Sequence, residues 1–217
     1  MNAATLCLFD LDGTLIDSEP GILGSIRHAF ARVGAAVPAD PVLRGWIGPP
    51  FQHTFPSALG DDPVLVEAAI AAYREHYLDQ GWARHAIYPG IAELVDTLAA
   101  AGCMLGVVTA KPLPQARKVI ESLPFAGRFA RVYGPESDHA HAGKAPLIAR
   151  ALADFGVAAA AAAMIGDRRY DIEGARANHV AGIGVLWGFG DRAELEQAGA
   201  HAIAQAPEEL AALLPFG

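Results

Sequence analysis

Hydrophobic positions change their period along this chain, and the change divides it. Residues 19–34 carry Ile22, Ile26, Ala29, Phe30 and Val33 at helical spacing and stop at Gly34, which predicts an amphipathic helix. Residues 41–60 are broken by glycines and prolines. Residues 62–81 are helical again, with Val66, Ile70, Tyr73 and Tyr77 along one side, a stripe read as local core rather than as a partner surface. From residue 91 onward, helices and short apolar runs alternate. Helices are predicted over 91–102, 113–123, 144–156 and 170–180, and strands over 103–110, 129–134, 162–167 and 181–188. A last helix is expected to begin near Glu208, and the alanine run 158–163 reads as a loop entering a strand. No internal repeat is present.

One further strand stands at the start. In "LCLFDLDGTLIDSE", residues 6–19, an apolar run with no solvated face ends in Asp10 and Asp12. Strand–helix alternation after a first strand predicts an α/β fold, a doubly wound parallel sheet with helices on both faces. The core is expected to be discontinuous, residues 1–16 plus 86–217, with a small helical domain, 17–85, inserted after the first strand.

Composition narrows the chemistry. With 53% hydrophobic and 18% charged residues the chain is globular. A formal charge of −8 argues against a nucleic-acid backbone as partner but not against a small anion held by a local positive cluster. Neither a basic leader with a long apolar segment nor an apolar run of membrane-spanning length is found, so no membrane partner and a cytoplasmic location are expected. Cys7 and Cys103 lie in apolar runs and read as small buried hydrophobes. The sequence holds only three lysines, Lys111, Lys118 and Lys144, and gives no reading of oligomeric state.

In open parallel sheets, ligands sit outside the carboxyl ends of the strands. Three predicted strands end there in polar residues: Asp10 with Asp12, Thr109, and Asp167. Asp171 and Thr14 would lie beside them, with Lys111 or Lys144. Several carboxylates at one point demand a hard cation, and oxygen-only ligation suits Mg²⁺ rather than zinc. A hydroxyl and a lysine next to such a cation fit a phosphoryl group, whose oxygens need neutralising on several sides.

The segments "FDLDGTL", "VVTAK", "GKAP" and "GDRRYDIEGARAN" resemble, in order, the four motifs of the haloacid dehalogenase-like hydrolase superfamily, in its phosphoglycolate phosphatase or 5′-nucleotidase-like branch. The resemblance spans nearly the whole chain, and the helical insert stands where that family carries its small cap. It implies a Mg²⁺-dependent phosphatase for a small phosphorylated metabolite, acting through an aspartyl-phosphate. Asp10 would be the nucleophile, and Asp12 the general acid and then base. Mg²⁺ would be held by the Asp10 carboxylate, the Asp12 backbone carbonyl and Asp167, with Asp171 binding through water or orienting Asp167. Thr109 and Lys144 would hold the phosphoryl oxygens, with Thr14 and Lys111 beside them and Arg44 and His53 in the cap as substrate contacts.

Some alternatives stay open at this level. The third motif usually reads Lys-Pro, whereas here the proline is Pro146, and Lys111 competes with Lys144 for the phosphate. Asp171 could be only a helix cap, Thr14 and Asp17 only turn residues, and Arg168 and Arg169 could screen the acidic cluster or cover the surface. Arg44, Trp46, Gln52 and His53 flank the "GPP" turn, either facing substrate or, for Trp46, filling the cap core. His139 and His141 read as solvated rather than as a metal pair. A phosphomutase of the β-phosphoglucomutase type, or a non-catalytic protein on the same fold, are the competing functions. The lysine-free insert argues against a phosphonatase, which needs a Schiff-base lysine there.

Overall fold

The computed structural model describes residues 5–136 and 143–214; His139 and His141 lie outside them. The chain forms two units, residues 1–16 with 87–217 and residues 17–86.

Strand β1 (Leu6–Phe9) opens the first unit. The second unit follows, with long helices α1 (Glu19–Arg32) and α5 (Pro63–Asp79) packed together and three short helices between them: α2 (Asp40–Arg44), α3 (Phe51–Thr54) and α4 (Pro56–Leu59). The fragmentation follows the glycines and prolines of residues 41–60, which cannot continue a helix. Asp62 caps α5, its carboxylate accepting from the backbone N–H groups of Val64 and Leu65. The interior is aromatic. Phe55 meets Phe30, Trp46 and Phe51 with ring centroids 5.2, 5.6 and 4.7 Å apart, and Phe51 meets Tyr73 at 4.3 Å. Trp46 is thus a core residue of this unit, as are Val66, Ile70, Tyr73 and Tyr77.

After the insert come α6 (Ile91–Ala100), β2 (Met104–Val108), α7 (Leu113–Glu121), β3 (Arg131–Tyr133), α8 (Lys144–Phe155), β4 (Ala162–Gly166), α9 (Arg169–Ala177), β5 (Ala181–Val185), α10 (Arg192–Ala198), β6 (Ala202–Ala204) and α11 (Leu210–Leu213). Six strands make one parallel sheet in the order β3-β2-β1-β4-β5-β6. Strand β1 lies at its centre, Leu6 opposite Met104 on one side and Ala162 on the other. That explains its unbroken apolar sequence: Leu6 and Leu8 join Met164, Ile148 and Ala175 in the layer shared with α8 and α9, while Phe9 meets Phe129 edge-on at 6.1 Å on the opposite face.

Two elements lie outside the sequence expectation. Between the strand predicted at 181–188 and the helix near Glu208 stand α10 and the edge strand β6. That strand ends at Val185, and residues 186–190 turn across the strand ends instead. Cys7 and Cys103 are free thiols, and burial, then Cys103, pushes the Cys7 thiol above its ordinary range. Among the described residues no helix is long and apolar enough to cross a membrane.

Candidate active site

The sheet is built outward to both sides of β1, and such a switch in strand order is where open parallel sheets hold their ligands. The exits of β1, β2 and β4 supply Asp10 and Asp12, Thr109, and Asp167. Asp10 extends the ladder, its N–H donating to Ile165 O at 2.8 Å. The chain then turns tightly at Gly13, with φ of 86°, and the N–H groups of Leu15 and Ile16 close back on Leu11 O at 3.0 and 3.1 Å. Glycine is required twice over: the φ is left-handed, and a Cβ would collide with the Asp167 carboxylate.

Asp10, Asp167 and Asp171 are buried, with one carboxylate oxygen of each within 4.8 Å of the others. Two lysines enter this group from different sides. Lys144 lies 2.8 Å from Asp10 Oδ1 as an ion pair, without an aligned hydrogen bond, and also pairs with Asp171. Lys111 lies 2.9 Å from Asp12 Oδ2. The competition between the two lysines resolves into a division: Lys144 faces Asp10 and Asp171, and Lys111 faces Asp12.

Local structure explains each placement. Lys144 is the first residue of α8, so Pro146 falls in the first turn, where a missing N–H costs nothing. The displaced proline leaves the lysine where the site needs it. Asn178 Nδ2 donates to Ala145 O and Gly174 O, both at 2.9 Å, and ties the start of α8 to α9. Lys111 follows Thr109, whose Oγ1 accepts from the Lys111 N–H at 3.1 Å and keeps its own proton for donation. Gly134 admits the Lys111 backbone, since a Cβ there would stand 2.6 Å from Lys111 O.

Asp171 is both a helix cap and a site residue. One oxygen accepts from the Arg168 N–H at 3.0 Å and the other takes Lys144, so both are already engaged. Its geometry is that of a lysine anchor, and it stands in the same buried carboxylate group as Asp10 and Asp167. Thr14 is fully buried and donates to Asp167 Oδ1 at 3.3 Å. Arg168 and Arg169 do not face the acidic group: Arg168 Nε and the Arg169 N–H reach Glu194 of α10 at 2.9 and 2.8 Å. Arg44 and His53 belong to the insert, where both are exposed; Arg44 Nε pairs with Glu19 Oε1 at 2.8 Å.

Sequence reasoning missed the segment after β5. The Phe189 N–H donates to Asp167 Oδ2 at 2.8 Å, and Trp187 Nε1 donates to Thr14 O at 3.0 Å. The available signal was "GFG": glycines on both sides of an aromatic just past a strand mark close backbone approach.

Electrostatically the cluster is incomplete by itself. Four carboxylates, Asp10, Asp12, Asp167 and Asp171, stand against two ammonium groups, Lys111 and Lys144. Burial pushes Asp10 up to about 7, Lys144 opposing and Asp171 adding to the rise. Burial, then Asp10 and Asp171, pushes Asp167 up to about 8. Burial would lower Lys144, but Asp10 and Asp171 outweigh it and hold the ammonium above its usual range. Asp12 Oδ1 is a buried acceptor with no hydrogen-bond partner among the described residues. A buried all-oxygen donor set with more carboxylates than ammonium groups fits a divalent hard cation.

Residues 7–185 match the haloacid dehalogenase-like hydrolase family, and the chain belongs to it. Among curated proteins it is 39% identical over 206 residues to a 5′-nucleotidase of Pseudomonas aeruginosa, covering 95% of this chain and 92% of that one. It is 37% identical over 186 residues to the tyrosine-protein kinase PtkA of Mycobacterium tuberculosis, a match that covers 85% of this chain and 63% of the longer relative. Among solved structures, a haloacid dehalogenase-like hydrolase of Streptococcus pneumoniae superposes with a TM-score of 0.89 at 32% identity, covering 98% of this chain and 99% of that one.

Proposed function

We propose that this chain is a Mg²⁺-dependent phosphatase that hydrolyses a small phosphomonoester of the phosphoglycolate or nucleotide kind through an aspartyl-phosphate on Asp10. The observation that carries the reading is the buried Asp10, Asp167 and Asp171 cluster, in which Lys144 pairs with Asp10 and Asp171. Asp10, Asp167 and the Asp12 backbone carbonyl are the groups that would hold Mg²⁺. When bound, the cation neutralises phosphoryl charge and lets a carboxylate approach an anionic substrate.

The chain's own residues account for the rest. Lys144 keeps Asp10 ionised and presents it toward phosphorus. An Asp10 oxygen forms the new bond to phosphorus as the ester P–O bond breaks, and Asp12 gives its proton to the leaving alkoxide. Asp12 then takes a proton from water, whose oxygen attacks phosphorus and releases Asp10 and inorganic phosphate. Thr109 donates its hydroxyl to a phosphoryl oxygen. Lys111, on Asp12, holds the carboxylate that moves the proton.

The test is phosphate release from p-nitrophenyl phosphate and a panel of small phosphomonoesters, in Mg²⁺ and in EDTA, with Asp10→Asn as control. Release that needs the metal and falls to background in the variant supports the reading; full activity of Asp10→Asn overturns it. The kinase name of one relative supplies a competitor built on the same phosphoryl chemistry. Label entering a tyrosine peptide from a phosphoryl donor, with no phosphate released by the panel, would replace hydrolysis with transfer.

A further inference from the structure

Asp167 differs from the other three carboxylates of the site because, among the described residues, no lysine forms an ion pair with it, although the Lys144 charge acts on it from a distance. Asp10 and Asp171 have Lys144 and Asp12 has Lys111, whereas Asp167 is held by two neutral donors, Thr14 Oγ1 at 3.3 Å and the Phe189 N–H at 2.8 Å. These come from two loops, one after β1 and one after β5. Trp187 joins the loops: its Nε1 donates to Thr14 O at 3.0 Å, across 173 residues of sequence. The fit leaves no slack. A Cβ at Gly188 would collide with Gly13 O and the Asp167 side chain, and one at Gly190 with Asp167 O.

We propose that Trp187 is a positioning residue, whose indole N–H fixes Thr14 and the Phe189 backbone around Asp167 and so sets the aim of that carboxylate into the cation site. The inference rests on the metal reading given above. An indole N–H can only donate, and the Thr14 carbonyl is its acceptor. Without this bond, the two neutral donors of Asp167 come from loops that the indole no longer ties together. A ring that merely filled space would do as well without its nitrogen.

The discriminating variant is therefore Trp187→Phe, which keeps an aromatic ring and deletes the donor. Mn²⁺ binding is followed by the spin-resonance signal of the free ion, so the readout does not depend on turnover. A net hydrogen bond of about 1 kcal/mol corresponds to about a fivefold weaker Mn²⁺ affinity. The metal-free Tm should move by no more than a few degrees, and saturating Mg²⁺ should return kcat toward that of the parent protein. Thr14→Val, which removes the hydroxyl at the next link, should weaken Mn²⁺ in the same way, and it decides the matter if Trp187→Phe does not fold. Parental Mn²⁺ affinity in the folded variants, or a lower Tm at unchanged affinity, overturns the positioning role alone. A parent protein that binds no Mn²⁺ overturns the metal reading and this inference with it.

Discussion

Lys144 begins α8 and stands 2.8 Å from Asp10, which closes β1, so one ammonium joins two elements 134 positions apart in the sequence. The same ammonium holds Asp171, and through the Arg168 N–H that carboxylate also caps α9. One cation thereby faces the Asp10 carboxylate and joins the starts of two helices.

Lys144→Met should remove activity by several orders of magnitude and destabilise the metal-free protein. Deleting one partner of a buried pair costs about 3–5 kcal/mol, because the carboxylates left behind stay desolvated. Urea unfolding in EDTA at pH 8 measures the loss, which should shrink at pH 5, where Asp10 is protonated. Equal loss at both values would mean that packing of the lysine stem, not its charge, stabilises the site.

Lys111→Met should behave differently, because Lys111 pairs with Asp12, whereas Lys144 pairs with Asp10 and Asp171. Turnover should fall by about 10²-fold, within the range assigned to a proton-transfer group. Mn²⁺ affinity should stay within about twofold of the parent, since a charge farther from the cation matters less. Calorimetric titration of Mn²⁺ beside steady-state kinetics separates the two effects. A variant that loses metal and turnover together would move Lys111 into the cation site.

The raised carboxylates give the metal-free protein a defined pH dependence. Asp10 near 7 and Asp167 near 8 both stand above the ordinary value of 3.8, so the folded state binds protons that the unfolded chain has released. Their contribution to stability is full below about pH 3.8 and is lost as pH rises through 7 and 8. The metal competes with the same protons, so the gain in Tm on adding Mg²⁺ should grow between pH 6 and 9. Thermal scans across that interval, with Mg²⁺ and with EDTA, check it; a constant gain would contradict the two raised values.

Two glycines with nearly equal torsions should tolerate alanine unequally. Gly13 and Gly102 have φ of 86° and 85°, but a Cβ at Gly13 strikes the Asp167 carboxylate whereas one at Gly102 meets nothing within 4 Å. Gly102→Ala should cost only the left-handed strain, about 1–2 kcal/mol, and keep its metal affinity. Gly13→Ala should cost more and lose Mg²⁺-dependent activity. Denaturant midpoints and Mn²⁺ titrations of the pair make the comparison, and similar metal affinity in both variants would count against the steric account.

The parts of this architecture legible in the sequence are those with a local signature. An apolar run such as residues 6–9 can only be an interior strand, and a polar residue just past its end can only lie at the sheet's edge, so Asp10, Thr109 and Asp167 could be placed together before any contact was known. Element α10 escaped because its sequence, RAELEQA, buries little beyond Leu195 and Ala198, and β6 because three residues give no period. The hydrogen bond from Thr14 to Asp167 was not legible, because a hydroxyl beside two aspartates looks the same from the chain whichever way it points. Trp187 and Phe189 could not be found from spacing at all. They act through an indole N–H and a backbone N–H on partners from distant segments, and a run of apolar residues after a strand reads as more strand.

The central position of β1 also has a consequence for biosynthesis. This strand leaves the ribosome before either neighbour exists: its partners are residues 104–107 and 162–165, and Thr14 must wait for Trp187. A nascent chain that has reached β3 carries Asp10, Asp12, Thr109 and Lys111 but has neither Lys144 nor Asp167 to complete the cluster. The carboxylate cluster is therefore assembled late, and its last contact forms only when the loop after β5 emerges and meets a turn made more than 170 residues earlier.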